Sequence, residues 1–250
     1  MNTSGKFLVT GAASGIGRAV ALRLAGAHGV RLVLVDRDEA GLLALSNEVA
    51  KERHAFLAMD VALESNWQKA AGLLAGLDGA VACAGISAAQ PVTEMTLDTW
   101  RKVMTVNLDG MFLTLQASLK SMKDGGSFVA MSSATAQKAA PMTAAYGASK
   151  AGLEQLIKVA ALEAAPRNIT VNALAPGGVK TPMFSGQDAF QSQARDEGES
   201  AAWASLAGAT PLKRFADADE IAALAVTVLT GSAGLMTGSV ISCDGGYGIS

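Results

Sequence analysis

The sequence predicts an α/β fold: a doubly wound parallel sheet of about seven strands, with helices on both faces. Three observations carry that expectation. Short apolar runs alternate with longer Ala- and Leu-rich stretches of helical spacing along the whole chain. The runs are apolar throughout rather than at every second residue, as in strands covered on both sides. No Pro/Gly-rich linker interrupts the 250 residues, so 1–250 is expected to form a single domain.

In chain order, "KFLVT" at 6–10 is the first strand and 15–28 the first helix. "RLVLVD" at 31–36, helix 38–52, "HAFLAMD" at 54–60 and helix 62–76 repeat the unit. "GAVACAG" at 79–85 leads into a long helix, 96–122, and "GSFVAMSS" at 126–133 into helix 146–165. "ITVNALAPG" at 169–177 is the sixth strand. Residues 183–212, "MFSGQDAFQSQARDEGESAAWASLAGATPL", break the rhythm. They are more polar and too long for a connecting turn, and are expected to form a substrate-binding loop or lid. Helix 217–230 and the strand "SVISCD" at 239–244 close the sheet.

Composition removes several function classes. Half of the residues are hydrophobic, 17% are charged and the net charge is −2, which excludes a disordered chain. No basic cluster points to nucleic acid or to an anionic membrane surface. Cys83 and Cys243 are too few and too far apart for a disulfide framework or a cysteine zinc site, and read as buried small hydrophobes. His28 and His54 suggest no metal site. The start of the chain has no signal-peptide pattern, and no apolar run approaches the roughly 18 residues needed to cross a bilayer. A cytoplasmic location is expected.

"VTGAASGIGRAV" joins the first strand to the first helix, with Gly11, Gly15 and Gly17 spaced G-x-x-x-G-x-G. Glycine allows a turn forbidden to other residues and lets a pyrophosphate approach the main chain. The helix N-terminus then offers unpaired N–H groups and a partial positive charge to the anion. Ser14 and Ile16 complete this cradle. Asp36 ends the second strand, where dinucleotide-binding folds place an acidic residue to accept from the adenosine ribose hydroxyls. Its charge repels a 2′-phosphate, so NAD is the expected cofactor. The neighbouring Arg37 reads as a solvated charge, although an arginine there can also pair with that phosphate. Asp60 has two readings: an acceptor for the adenine amino group, or a cap for the helix at 62–76.

At this point the chain resembles the classical short-chain dehydrogenase/reductase family, a Rossmann-type fold. The resemblance runs nearly end to end. It rests on "TGAASGIG" at 10–17, "MDV" at 59–61, "VNLDG" at 106–110, "SS" at 132–133, "YGASK" at 146–150, "PGGVKTP" at 176–182 and "DGG" at 244–246. "ACAG" at 82–85 departs from the family's Asn-Asn-Ala-Gly, which puts local strand anchoring in question more than catalysis. The resemblance implies that Val61, Ala84, Gly85, Pro176, Gly177, Val179 and Thr181 also touch the dinucleotide, with Thr181 holding the carboxamide.

Tyr146 and Lys150 are four residues apart and share a helix face. A free phenol has a pKa near 10, roughly three units too high for a base at neutral pH. Bringing it to about 7 takes some 4 kcal/mol of preferential phenolate stabilisation. A nearby ammonium, with the positive charge of an oxidised nicotinamide, works in that direction. Ser133, by the family pattern, holds the substrate oxygen. Ser132 should point to the other side of the strand. Asn107 stands mid-helix, where Asn is disfavoured unless it makes a specific bond; the resemblance gives it a water that links Lys150 to solvent. Lys150 is implied to bind the nicotinamide ribose as well.

The substrate wall is expected from Thr135 and Gln137 after Ser133, Met142 before Tyr146, Gly178, Met183 and Phe184. Ala134, Thr143, Gln187 and Phe190 are further candidates. These are apolar or neutral, with no cation placed to clamp an anion, so a small neutral alcohol or ketone is the expected partner. The apolar circumference of "AGLEQLIKVAALEAA" at 151–165, with the family's habit, points to a homotetramer. Three readings compete: an NAD-dependent secondary-alcohol dehydrogenase, an NADPH-dependent ketone or 3-oxoacyl reductase, and a dinucleotide-sensing protein without turnover. The complete set Asn107, Ser133, Tyr146 and Lys150 weighs against the sensor, and Asp36 against the reductase.

Overall fold

The computed structural model describes residues 4–231 and 234–250. Among these residues seven strands form one sheet, in the order β3-β2-β1-β4-β5-β6-β9 with every pairing parallel. The strands are β1 (Gly5–Thr10), β2 (Val30–Asp36), β3 (Ala55–Ala58), β4 (Leu77–Ala82), β5 (Met122–Met131), β6 (Thr170–Pro176) and β9 (Val240–Cys243). Two further short strands, β7 (Val179–Lys180) and β8 (Ala216–Asp217), pair with each other outside the sheet.

Helices cover both faces. α1 (Gly15–Ala25), α2 (Glu39–Ser46) and α10 (Ala218–Leu229) build one apolar layer, and α3 (Glu64–Leu74), α5 (Gly110–Ser121) and α6 (Ala144–Ala164) the other. In β2, Leu32 and Leu34 enter the first layer while Val33 and Val35 enter the second. Side chains alternate across a strand, so a strand between two helical layers needs apolar residues at every position. The order of the strands reverses between β1 and β4, and a crevice opens at the carboxyl ends of the strands there.

The boundaries differ most from those expected in three places. The stretch expected as helix 38–52 is α2 followed by a short 3-10 turn at Lys51–Arg53. The long helix expected at 96–122 is α4 (Leu97–Met104) and α5, joined by a π-helical turn at Thr105–Asp109. The expected loop at 183–212 folds into α7 (Pro182–Ser185), α8 (Asp188–Glu197) and α9 (Glu199–Ala207). Four aromatic rings hold these helices. Trp203 lies 4.2 Å from Phe190 and 5.3 Å from Phe184, and Phe184 lies 5.0 Å from Phe215, between ring centroids. Such contacts within about 7 Å are favourable in tilted and edge-on geometry. Among the described residues no helix is long and apolar enough to cross a membrane.

Candidate active site

A cavity of about 690 Å³ occupies the crevice. Each residue of the expected dinucleotide site lines it, from the Gly11–Gly17 loop through Asp36, Arg37, Asp60, Val61, Ala84 and Gly85 to Pro176, Gly177, Val179 and Thr181. The loop is shaped by its glycines. Gly11 has φ +68°, and a Cβ added to Gly17 would lie 2.1 Å from the Gly11 carbonyl oxygen. The helix can therefore start against the loop only without a side chain there. Ser14 is the N-cap of α1, yet its side chain makes no capping bond. The first N–H groups of that helix are thus left without a side-chain acceptor, which suits an anionic diphosphate.

Asp36 is fixed at the end of β2. Its Oδ2 accepts from the Ala13 N–H and its Oδ1 from the Asp38 N–H, both at 3.0 Å. The carboxylate thereby ties the glycine loop to β2 while lining the cavity. Asp60 does not cap the following helix, whose N-cap is Leu63. It closes a local turn instead, accepting from Ala62 N–H at 2.9 Å. The departure at Ala82–Cys83 is made good by Thr10, a buried residue at the end of β1. Its carbonyl accepts from Cys83 N–H at 3.2 Å and its hydroxyl oxygen from Ala84 N–H at 3.3 Å. These residues accommodate a dinucleotide: a cradle without Cβ atoms, an uncapped helix start and a fixed carboxylate line one cavity.

The groups expected to react meet at the carboxyl end of β5. Ser133 follows that strand; its Oγ accepts from Thr135 N–H at 3.3 Å and lies 2.9 Å from Thr135 Oγ1. The Tyr146 phenol lies beside Ser133. Lys150, one turn along α6, is buried, and its Nζ donates to the Met131 carbonyl at 2.7 Å. That Nζ lies 5.6 Å from the centroid of the Tyr146 ring. All three residues line the cavity.

The electrostatics of the chain without its ligand run the other way. Burial pushes the Tyr146 phenol above its ordinary pKa, and the neighbouring Ser133 hydroxyl only partly opposes that rise. Burial also brings Lys150 down to about 8, against a smaller upward pull from Cys83. Desolvation penalises the charged form of both groups. The expected acidification counted the positive charge of an oxidised nicotinamide, which belongs to the ligand and not to the chain. Lys150, committed to the Met131 carbonyl, does not offset the burial alone.

Asn107 stands apart from the cavity wall. It is fully buried in the π turn and is not among the residues lining the cavity. Its Oδ1 accepts from Ile86 N–H at 2.8 Å, and its Nδ2 donates to the Ile86 carbonyl at 2.9 Å and to Ser149 Oγ at 3.1 Å. The side chain holds the loop after β4 against α6. It keeps Gly85 close to Lys150: a Cβ on Gly85 would lie 3.7 Å from Lys150 Nζ.

On the substrate side, Ser133, Thr135, Gly178, Met183 and Phe184 line the cavity, as do Ala134, Thr143 and Gln187. Gln137 and Met142 do not. Gln137 Nε2 faces the buried Glu154 carboxylate at 3.3 and 3.4 Å, and Met142, at φ +67°, lies 47% exposed. Phe190 stands behind Phe184 in the aromatic cluster. Ser132 also lines the cavity, but its hydroxyl donates to Glu154 Oε1 at 2.8 Å. The sequence reading missed Leu206, Thr210, Phe215 and Tyr247, which also line the cavity. The aromatic residues at 184, 190, 203 and 215 were a signal for a packed lid; nothing local marked Tyr247.

Known proteins match this arrangement. A family model described as Enoyl-(Acyl carrier protein) reductase matches residues 11–248. D-threitol dehydrogenase of Mycolicibacterium smegmatis is 37% identical, over 97% of this chain and 92% of that protein. Galactitol 2-dehydrogenase (L-tagatose-forming) of Cereibacter sphaeroides is 35% identical, over 96% and 93%. The crystal structure of a short-chain dehydrogenase/reductase from Brucella melitensis, titled glucose/ribitol dehydrogenase, superposes with a TM-score of 0.89 at 30% identity, covering 98% of each chain. The parallel sheet, the glycine cradle and these matches agree: the chain belongs to the classical short-chain dehydrogenase/reductase family, oxidoreductases that use a nicotinamide dinucleotide.

Proposed function

We propose that this protein is an NAD-dependent dehydrogenase of neutral secondary alcohols, of the polyol class, with Tyr146 as the proton-transfer group. One observation carries the reading: Tyr146 and Ser133, with Lys150 beside them, line the same cavity as the glycine cradle and Asp36. Two relatives named for polyols support the substrate class. The apolar lid residues Met183, Phe184 and Phe215 and the engagement of Lys150 by a main-chain carbonyl argue against a charged substrate.

The chain's own residues divide the work. Gly11, Gly15, Gly17 and the start of α1 hold the diphosphate, Asp36 accepts from the adenosine ribose, and Thr181 holds the carboxamide. When bound, the nicotinamide supplies a ring carbon that takes a hydride from the alcohol carbon or returns it. Ser133 holds the alcohol oxygen, and Tyr146 removes its proton in oxidation or delivers one to it in reduction. The positive charge of Lys150 favours the phenolate once the ligand's charge is added. The exposed apolar residues Phe112 on α5 and Val159 and Leu162 on α6 support assembly into a homotetramer.

The test is a panel of secondary alcohols with NAD⁺ or NADP⁺, followed by the absorbance of the reduced cofactor. Oxidation with a higher kcat/KM for NAD⁺ is expected. A preference for NADP⁺ would transfer the role to Arg37, which also lines the cavity, and favour the reductase reading. Tight cofactor binding with no turnover on any alcohol would make the chain a sensor.

A further inference from the structure

The end of the chain folds back onto the cavity, where Tyr247 forms part of the wall. It belongs to a 3-10 turn, Tyr247–Ile249, that is fastened on three sides. Within the segment, the Asp244 carboxylate accepts from Gly246 N–H at 2.9 Å and from Gly248 N–H at 2.7 Å. On the lid side, Leu212 N–H donates to the Gly245 carbonyl at 3.1 Å. The third fastening is Lys138. Its Nζ donates to the backbone oxygens of Tyr247 at 2.7 Å and Ser250 at 2.6 Å, and lies 3.2 Å from Ser250 Oγ. The same ammonium stands over the Tyr247 ring, 4.3 Å from its centroid, within the range of a cation–π contact.

Lys138 is five residues beyond Ser133, and its N–H donates to the Ala134 carbonyl at 2.9 Å. The turn that presents Ser133 and Thr135 therefore also grips the end of the chain. This places Tyr247 at the substrate end of the cavity and not at the cradle. The lid, through Phe184 and Phe215, also walls that end.

We propose that Tyr247 is a specificity-determining residue that limits the size of the alcohol, and that Lys138 is the positioning residue that holds it. The inference rests on the dehydrogenase reading and deepens it by assigning the wall that measures the substrate. The charge of Lys138 is directed at main-chain oxygens and a ring face, so it adds no clamp for an anionic substrate.

The experiment compares kcat/KM for a tetritol, a pentitol, a hexitol and cyclohexanol with NAD⁺ in the wild type, Tyr247→Ala, Lys138→Met and Lys138→Arg. Removing the ring should raise the ratio of larger to smaller substrate about tenfold, since pocket discrimination changes on this scale with one or two carbon atoms. Lys138→Met should move the ratio in the same direction through alcohol KM, and Lys138→Arg, which keeps the donors and the cation, should restore it. The dissociation constant for NAD⁺ should stay within about twofold in all variants. Hydrogen exchange at 245–249 should accelerate in Lys138→Met and not in Lys138→Arg. Ratios unchanged in an active, folded Tyr247→Ala overturn the specificity role, and unchanged exchange in Lys138→Met overturns the latch. If Tyr247→Ala does not fold, the Lys138 pair decides both through the KM ratio. A wild type inactive on the whole panel sinks the dehydrogenase reading and the specificity role with it, while the exchange measurement still decides the latch.

Discussion

At the cradle end of the cavity the wall is largely main chain, beside the Asp36 carboxylate: Gly11, Gly15 and Gly17, the start of α1 and the short segments after β1 and β4. At the lid end it is side chain: Met183, Phe184, Phe215 and Tyr247, mounted on short helices and turns. A main-chain wall tolerates little change, because a Cβ in the wrong place meets backbone. A side-chain wall can be re-cut one residue at a time without disturbing the sheet beneath it. The first suits a ligand shared by a whole family, and the second a substrate that differs between members. Tyr146, Ser133 and Lys150 stand where the two walls meet.

The sharpest way to test this division is at the junction. Tyr146→Phe should lower turnover by about 10² or more, the usual scale of general acid–base catalysis, with the dissociation constant for NAD⁺ unchanged by calorimetry. Near-normal turnover in the folded variant removes Tyr146 from the mechanism. A smaller effect is expected at the main-chain wall. Gly17→Ala places a Cβ 2.1 Å from the Gly11 carbonyl oxygen, so the loop must shift. The affinity for NAD⁺ should fall about tenfold or more, since each 1.4 kcal/mol of lost contact is a factor of ten. If titration finds the affinity unchanged, the cradle is not what holds the dinucleotide.

The finest test is the dependence on pH. Burial raises the pKa of Tyr146 and lowers that of Lys150 to about 8, so the first proton lost as pH rises leaves mainly the ammonium. The working form, phenolate beside ammonium, has also lost one proton, so it is a constant minor share of the same macroscopic state. For alcohol oxidation, kcat/KM should therefore climb about tenfold per pH unit up to the Lys150 value and then level off. In Lys150→Met the climb should continue towards the higher phenol value. A wild-type profile flat from pH 6 to 8 contradicts the coupling.

The cradle end was far more legible in the sequence than the lid end, and the reason is physical. A phosphate-binding turn needs glycine at set positions, so Gly11, Gly15 and Gly17 announce it; strands buried on both faces need unbroken apolar runs, so β1, β2 and β6 could be placed. The lid carries no such rule. Its helices are short and mostly polar outside, and what orders them is contact among Phe184, Phe190, Trp203 and Phe215, which are 31 positions apart from first to last. Gln137 was placed in the substrate wall from its position after Ser133, but the buried Glu154 on α6 draws its side chain away. Met142 is half exposed, in a left-handed backbone conformation that local sequence does not reveal. Tyr247 depends on Lys138, 109 positions earlier, a pairing that no local pattern encodes.

The π turn at Thr105–Asp109 has a consequence for the pair of helices it joins. One surplus residue advances everything beyond it by about 100° around the axis. α4 and α5 are thus two cylinders sharing an axle but set out of phase, the first leaning on α6 and the second on α3 and β4. Asn107 sits inside that offset. Excising any one residue there would bring the cylinders back into step and turn one of them the wrong way round, so this stretch keeps count of its own length.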